Sequence, residues 1–145
     1  MSTTYDIVDI SEKFNKNIKK LINIMNASIS NNILFDTIKR RTKLVIDNNP
    51  LYLLEEGGVH IFKYREYIKN ENIEELLLNF DQVIKSDNDA NQYLNNNQDE
   101  SQDIKQLLGM LKDIWVKYST EEKKIINKLF KVLLSEYCKF LSLRN

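Results

Sequence analysis

His60 and Glu56 stand four residues apart, so a helix would set both on one face, and a histidine–carboxylate pair is the beginning of a metal site. Two ligands do not complete one. A helical di-iron centre draws carboxylates and Glu-x-x-His pairs from facing helices. His60 is the chain's single histidine, and Gly57-Gly58 interrupts its spacing from Glu56. A structural or surface role is expected for His60, with no metal and no cofactor. Cys138 is likewise single. A nucleophilic cysteine needs a base within reach, and the one histidine offers no local partner. Beside Phe140 and Leu141, Cys138 reads as a small buried hydrophobe. A lone cysteine makes no internal disulfide and fits a reducing compartment.

The acidic pairs Glu55-Glu56, Glu74-Glu75 and Glu121-Glu122 are adjacent in sequence. Adjacent residues point in different directions on a helix. The last two pairs fit helix N-terminal ends, where carboxylates meet the positive pole of the helix dipole. Gly57-Gly58 lacks the Lys-Ser/Thr that completes a phosphate loop, and a break or bend is expected there. Lys39, Arg40, Arg41 and Lys43 form the densest basic cluster and are the candidate phosphate contacts. They circle a helix, and Asp36 and Asp47 dilute them, so a solvated surface is the expectation. Lysine and arginine (21) balance aspartate and glutamate (21). That balance removes the electrostatic footprint of a generic nucleic-acid binder. Trp115, Tyr118, Phe130, Tyr137 and Phe140 gather toward the C-terminus. Most are expected in the core. Trp115, Tyr118 and Tyr137 are the candidate partner surface, because aromatic residues concentrate at interface centres.

Helices would have to position these groups. Only 3 Gly and 1 Pro in 145 residues disfavour a turn-rich β protein. Phe14, Ile18, Leu21, Ile22, Met25 and Ile29 recur at helical spacing and predict a first helix starting after Asp9 or Ser11. A second is predicted over 33–47, with Leu34, Ile38, Leu44 and Val45 as its apolar side. It ends before Pro50, which pushes the preceding residue out of helical geometry, and Asn49 is placed to cap the next helix. Asn70 is the expected cap of a helix that buries Ile73, Leu76, Leu77, Phe80 and Ile84. Residues 86–102 are polar and Asn-rich, and predict a flexible loop. A helix over 103–118 carries Ile104, Leu107, Leu108, Leu111, Ile114, Trp115 and Tyr118. Ser119 and Glu122 then read as a capping box. They start a last helix, 120–143, with Ile125, Ile126, Leu129, Phe130, Leu133, Leu134, Tyr137, Phe140 and Leu141. The short connection predicts an antiparallel hairpin of these last two helices.

Three stretches carry a resemblance. One is Asn49-Pro50 with the Leu-rich turn after it, leading to Tyr64-Arg65-Glu66-Tyr67-Ile68. The second is the acidic segment from Glu71 to Leu78. The third is Trp115-Val116-Lys117-Tyr118-Ser119-Thr120-Glu121-Glu122-Lys123-Lys124-Ile125-Ile126, running on to Leu133-Leu134. Together they resemble small helical proteins of large nucleocytoplasmic DNA viruses of algae and amoebae. The resemblance covers most of the chain except the Asn-rich loop. It implies an intracellular viral setting, either infected-cell cytoplasm or virion, and brings no enzymatic activity with it.

The expectation is therefore all-α, a compact bundle of about five to seven helices ending in a helical hairpin. Residues 1–145 are expected to form a single helical domain carrying the loop at 86–102. No leader is evident at the N-terminus, and no apolar run approaches the length of about 18 residues that would cross a membrane. The expected function is non-enzymatic: a structural or protein–protein interaction role, with another viral or host protein, or a second copy, as partner. Two alternatives stand beside it. One is nucleic-acid association through the basic helix near 39–43. The other is a host-directed regulator that captures an amphipathic helix.

Overall fold

Two long amphipathic helices frame the protein. The computed structural model describes residues 3–28, 33–79 and 112–144. Helix α1 runs Thr3–Ser28 and α2 runs Ile33–Asn48. A π-helical turn, Leu53–Gly57, leads into three short helices: α3 (Gly58–Lys63), α4 (Arg65–Lys69) and α5 (Ile73–Leu78). Residues 112–117 are helical (α6), and α7 runs Thr120–Arg144. The described residues contain no strand, as the all-α expectation required. None of their helices is long and apolar enough to cross a membrane.

Helices α1 and α7 pack along their length. Ile10 and Phe14, early in α1, share a core cluster with Leu133, Tyr137 and Phe140, late in α7. Leu21 and Met25, further along α1, pack against the cluster that holds Ile126, early in α7. The two therefore run antiparallel. With 26 residues, α1 extends about 39 Å. Leu54 belongs to the first cluster, and Phe35, Ile68, Ile73, Ile114 and Trp115 to the second. Ile61, Phe62 and Phe130 touch both and join them. Each buried Leu, Ile or Phe side chain contributes roughly 1.5–3 kcal/mol through removal from water. Packing of the apolar faces therefore outweighs helix propensity in holding these elements.

Several boundaries depart from the sequence expectation. Helix α1 begins at Thr3, well before Asp9 or Ser11. Its apolar face extends backward, since Ile10 is buried and Ile7 packs on the same cluster. Ser11 caps nothing; its hydroxyl donates to the Val8 carbonyl at 2.8 Å, inside the helix. Helix α2 has nearly the expected span, but its buried face is rotated. Phe35 and Ile46 are buried, while Leu44 is 60% exposed. Phe35, Ile38, Thr42 and Ile46 are the residues at three- and four-residue steps, and a threonine in the row hid it. Ile38 and Val45 are half-buried, and the Leu34 side chain lies outside the described part of the structure.

The chain stays helical through Gly57-Gly58, with φ of −72° and −61°. The irregularity is the π-turn that ends at Gly57, a known way to bend a helix without breaking it. The turn after Pro50 is closed by backbone, as Tyr52 N–H donates to the Asn49 carbonyl at 3.0 Å. Helix α4 ends in a Schellman motif. Glu71 N–H donates to the Ile68 carbonyl and Asn72 N–H to the Tyr67 carbonyl, with Glu71 at φ 57°. Glycine usually holds that left-handed position. Here Glu71 holds it and reaches Lys131 of α7 at 2.7 Å. Asn72, not Asn70, is therefore the N-cap of α5, and its side chain makes no capping bond.

Ile73 is buried, and Leu76 and Leu77 are half-buried. Phe80, Ile84, the loop at 86–102, and Ile104, Leu107, Leu108 and Leu111 lie outside the described residues. The capping box is present in both directions. Ser119 N–H donates to Glu122 Oε1 at 3.0 Å, and Glu122 N–H to Ser119 Oγ at 3.1 Å. Ile114 and Trp115 of α6 share the cluster of Ile126 and Leu134 across this short turn. The long partner of α7 among the described residues is α1.

Candidate functional site

The candidate partner surface is core. Trp115 is 3% exposed, Tyr137 7% and Tyr118 9%. Trp115 meets Tyr118 edge-on, with ring centroids 6.2 Å apart, and the Lys123 ammonium lies 5.5 Å from the indole centroid. Tyr137 packs between Phe62 and Phe140, each at 6.0 Å. Its spacing from Ile126, Leu129, Leu133 and Phe140 places it on the stripe of α7 that the neighbouring helices cover. The indole Nε1 of Trp115 and the hydroxyl of Tyr118 are buried without a hydrogen-bond partner. These rings stabilise the second cluster and are not free to anchor a partner.

The basic cluster divides. Lys39, Arg40 and Lys43 line one shallow face of α2 together with Asp36, while Arg41 stands apart. The four do not simply circle the helix, as expected. Lys39 is engaged at the surface by its own chain: its Nζ donates to Asn26 Oδ1 at 2.7 Å, sits 3.3 Å from Asp36, and lies 5.6 Å from the Phe35 centroid. Arg40 and Lys43 are exposed beside a carboxylate. A phosphate there would compete with Asp36, so the face is poorly suited to a polyanion.

His60 and Glu56 are both exposed. Among the described residues no three His, Cys, Asp or Glu side chains come together as a metal site. Cys138 is exposed, against the expectation of burial. The α1-facing seam of α7 takes Leu129, Leu133, Glu136 and Phe140 at helical steps, and residue 138 falls outside it. Glu136 occupies that seam at 5% exposure, with Lys139 at 3.3 Å from Oε1 and Oε2 buried without a partner. Asn15 is also buried, and its amide donates to the Pro50 carbonyl at 2.9 Å, tying α1 to the chain after α2. The sequence reading named neither. A polar residue at a core step was the available signal for both. The Glu71 carboxyl is held below its ordinary value by the Lys131 hydrogen bond, and then by the Lys131 charge.

The outer side of the α1–α7 pair leaves a groove of about 500 Å³. Lys20 and Ile24 of α1 face Ile125, Lys128, Leu129 and Val132 of α7 across it. Leu129 is buried and forms the floor, while Ile125 is 50% exposed on the wall. Asn17 and Asn23 complete the lining, which contains no acidic residue. A recess of about 530 Å³ near the α2 end differs in charge, because Glu12 and Lys19 both line it. A cavity of about 70 Å³ in the second cluster, between Leu21, Ile73, Trp115 and Phe130, is almost wholly apolar.

The groove can do one thing chemically: bury apolar side chains while two ammonium groups wait at its edge. The sequence reading placed none of its residues in a site. Ile24 lines the groove from the edge of the second cluster, whereas Val132 lies off the main apolar stripe of α7, and an aliphatic residue off the stripe was the signal. Comparison with protein-family models, curated protein sequences and solved structures finds no match to this chain.

Proposed function

We propose that this protein works by binding another protein and not by catalysis, as a helical interaction or structural protein of a large DNA virus. The apolar-floored groove between α1 and α7 carries this reading. A helix pair that only filled its own core would have no use for Ile125 and Val132 beside the buried Leu129, facing Ile24 at the edge of the second cluster. Contiguous apolar surface with a polar rim is the form protein contacts take. The viral setting, infected-cell cytoplasm or virion, rests on the sequence resemblance alone. Mass spectrometry of purified particles tests packaging.

A photoreactive residue at position 125 tests the binding reading in cells making the full chain. One defined adduct, competed by excess unlabelled protein, is expected. The same residue at Lys69, exposed on α4, is the control. Equal and diffuse labelling from both positions would reject the groove as a contact surface. The host-directed alternative, capture of an amphipathic helix, is favoured by the same groove over the nucleic-acid one. The basic face of α2 has Lys39 already engaged by Asn26 and Asp36.

A further inference from the structure

We propose that the α1–α7 groove receives an acidic amphipathic helix of another protein, a partner assignment that rests on the protein-binding reading above. Shape supplies the first half. Two antiparallel helices leave a trough along their axes, and a third helix fits it by setting its side-chain ridges between theirs. Ile24 on one wall and Ile125, Leu129 and Val132 on the other present aliphatic groups at three- and four-residue steps. A ligand helix meets such a surface with apolar residues at i, i+3/i+4 and i+7.

Charge supplies the second half. Lys20 and Lys128 stand on opposite walls, and no carboxylate lines the space between them. Among the described residues neither ammonium is paired with a carboxylate. From Phe14 to Ser28, α1 carries Lys16, Lys19 and Lys20 and no acid. Lys16 precedes Lys20 by one turn on the same face. The acids of α7 one turn beyond the groove's two ends, Glu121 before Ile125 and Glu136 after Val132, are each held by a lysine of their own helix, Lys124 at 3.9 Å and Lys139 at 3.3 Å. Acidic residues flanking the ligand's apolar stripe would meet both lysines, and basic ones would be repelled by both. Two further recesses among the described residues make no such choice, since Glu12 offsets Lys19 in one and Asp36 faces the lysines in the other.

The test uses the full chain and two synthetic helical peptides with the same leucine stripe. One carries glutamate at every flanking position and the other lysine. Fluorescence anisotropy should show the acidic peptide binding at least about tenfold more tightly, a difference of about 1.4 kcal/mol. Added salt should narrow the gap. Lys20→Glu with Lys128→Glu should reverse the preference, and Ile125→Asp should weaken both peptides. All three positions are exposed, and unchanged circular dichroism verifies the fold of each variant. Equal affinity for the two peptides, no saturable binding of the acidic one, or indifference to the lysine reversals would each overturn the proposal. A dimer that Lys128→Glu dissociates would overturn the partner assignment and leave the protein-binding reading standing. Loss of the specific adduct from position 125 would remove both.

Discussion

Gly57→Ala and Gly58→Ala should change stability in opposite directions, although the two residues are neighbours with similar backbone angles. Both are helical, with φ of −72° and −61°. Alanine is favoured over glycine in a helix by roughly 1 kcal/mol, so backbone propensity alone predicts stabilisation at each. A Cβ on Gly57 would meet nothing within 4 Å. A Cβ on Gly58 would lie 2.0 Å from Tyr137 Cδ1, 2.5 Å from Cε1 and 2.7 Å from Cγ. Carbon atoms pack at about 3.5–4.0 Å, so well over an ångström is missing. Cγ is at the root of the ring, and turning the ring tip aside does not relieve the clash. Phe62 and Phe140 close off Tyr137, which is 7% exposed. Overpacking of this kind costs about 1–3 kcal/mol, and this overlap belongs at the upper end. The net expectation is destabilisation by about 2 kcal/mol for Gly58→Ala. Gly57→Ala should stabilise by about 0.5–1 kcal/mol. Urea unfolding at constant m-value measures both. In a Tyr137→Ala background the Gly58→Ala penalty should vanish, which a double-mutant cycle reads directly. A Gly58→Ala protein as stable as the parent would refute the close approach of α3 to α7.

Trp115→Ala should cost about 3–5 kcal/mol, since the indole is buried in the second cluster; an unchanged denaturation midpoint would contradict that burial. Ser119→Ala should cost about 1 kcal/mol by removing the acceptor for Glu122 N–H. A larger loss from Thr120→Ala would show the cap to be misplaced. The Glu71 carboxyl should titrate below the ordinary glutamate value of 4.5, mainly through its hydrogen bond from Lys131. A folded-state pKa below the unfolded one means the stabilisation is present above the unfolded value and is lost as pH falls through the folded one. Carbon-detected NMR titration should find the shift abolished in Lys131→Met, and a shift that persists would contradict its cause.

What was legible in the sequence was local. The Ser119–Glu122 box is a reciprocal bond between residues three apart, so its signal is complete within one turn. The last helix follows from periodicity, and the end of α2 from the proline beyond it, although the face of α2 did not. The misses depend on residues distant in the chain. Helix α1 extends to Thr3 because Ile7 and Ile10 find α7 and the chain around Leu54. Gly58 reads as a helix breaker, and only Tyr137 on another helix reveals it as a close contact. Glu71 adopts a backbone conformation that glycine favours, and Lys131 supplies a partner that no local pattern contains.

The candidate site was hard to read for a related reason. An apolar stripe shows which side chains leave water, not what covers them. Trp115, Tyr118 and Tyr137 satisfy the composition of an interface centre and of a core equally well. The structure assigns them to the core because α1, α3 and α5 bring apolar side chains against the same stripes. Once those stripes are covered, the aliphatic groups left over become informative. Ile125 follows the capping box one step before the buried Ile126, so it is one residue out of phase with the core face of α7 and about 100° further round the helix. Ile24 sits at the edge of the core face of α1, packed on the second cluster while it lines the groove. Antiparallel packing brings the two together beside Leu129. The lysines obey the same geometry, since Lys20 precedes Ile24 by one turn and Lys128 comes one turn after Ile125. The lysines are too evenly spread along the chain to form a basic run, and only the pairing of α1 with α7 gathers an acid-free set around an apolar floor.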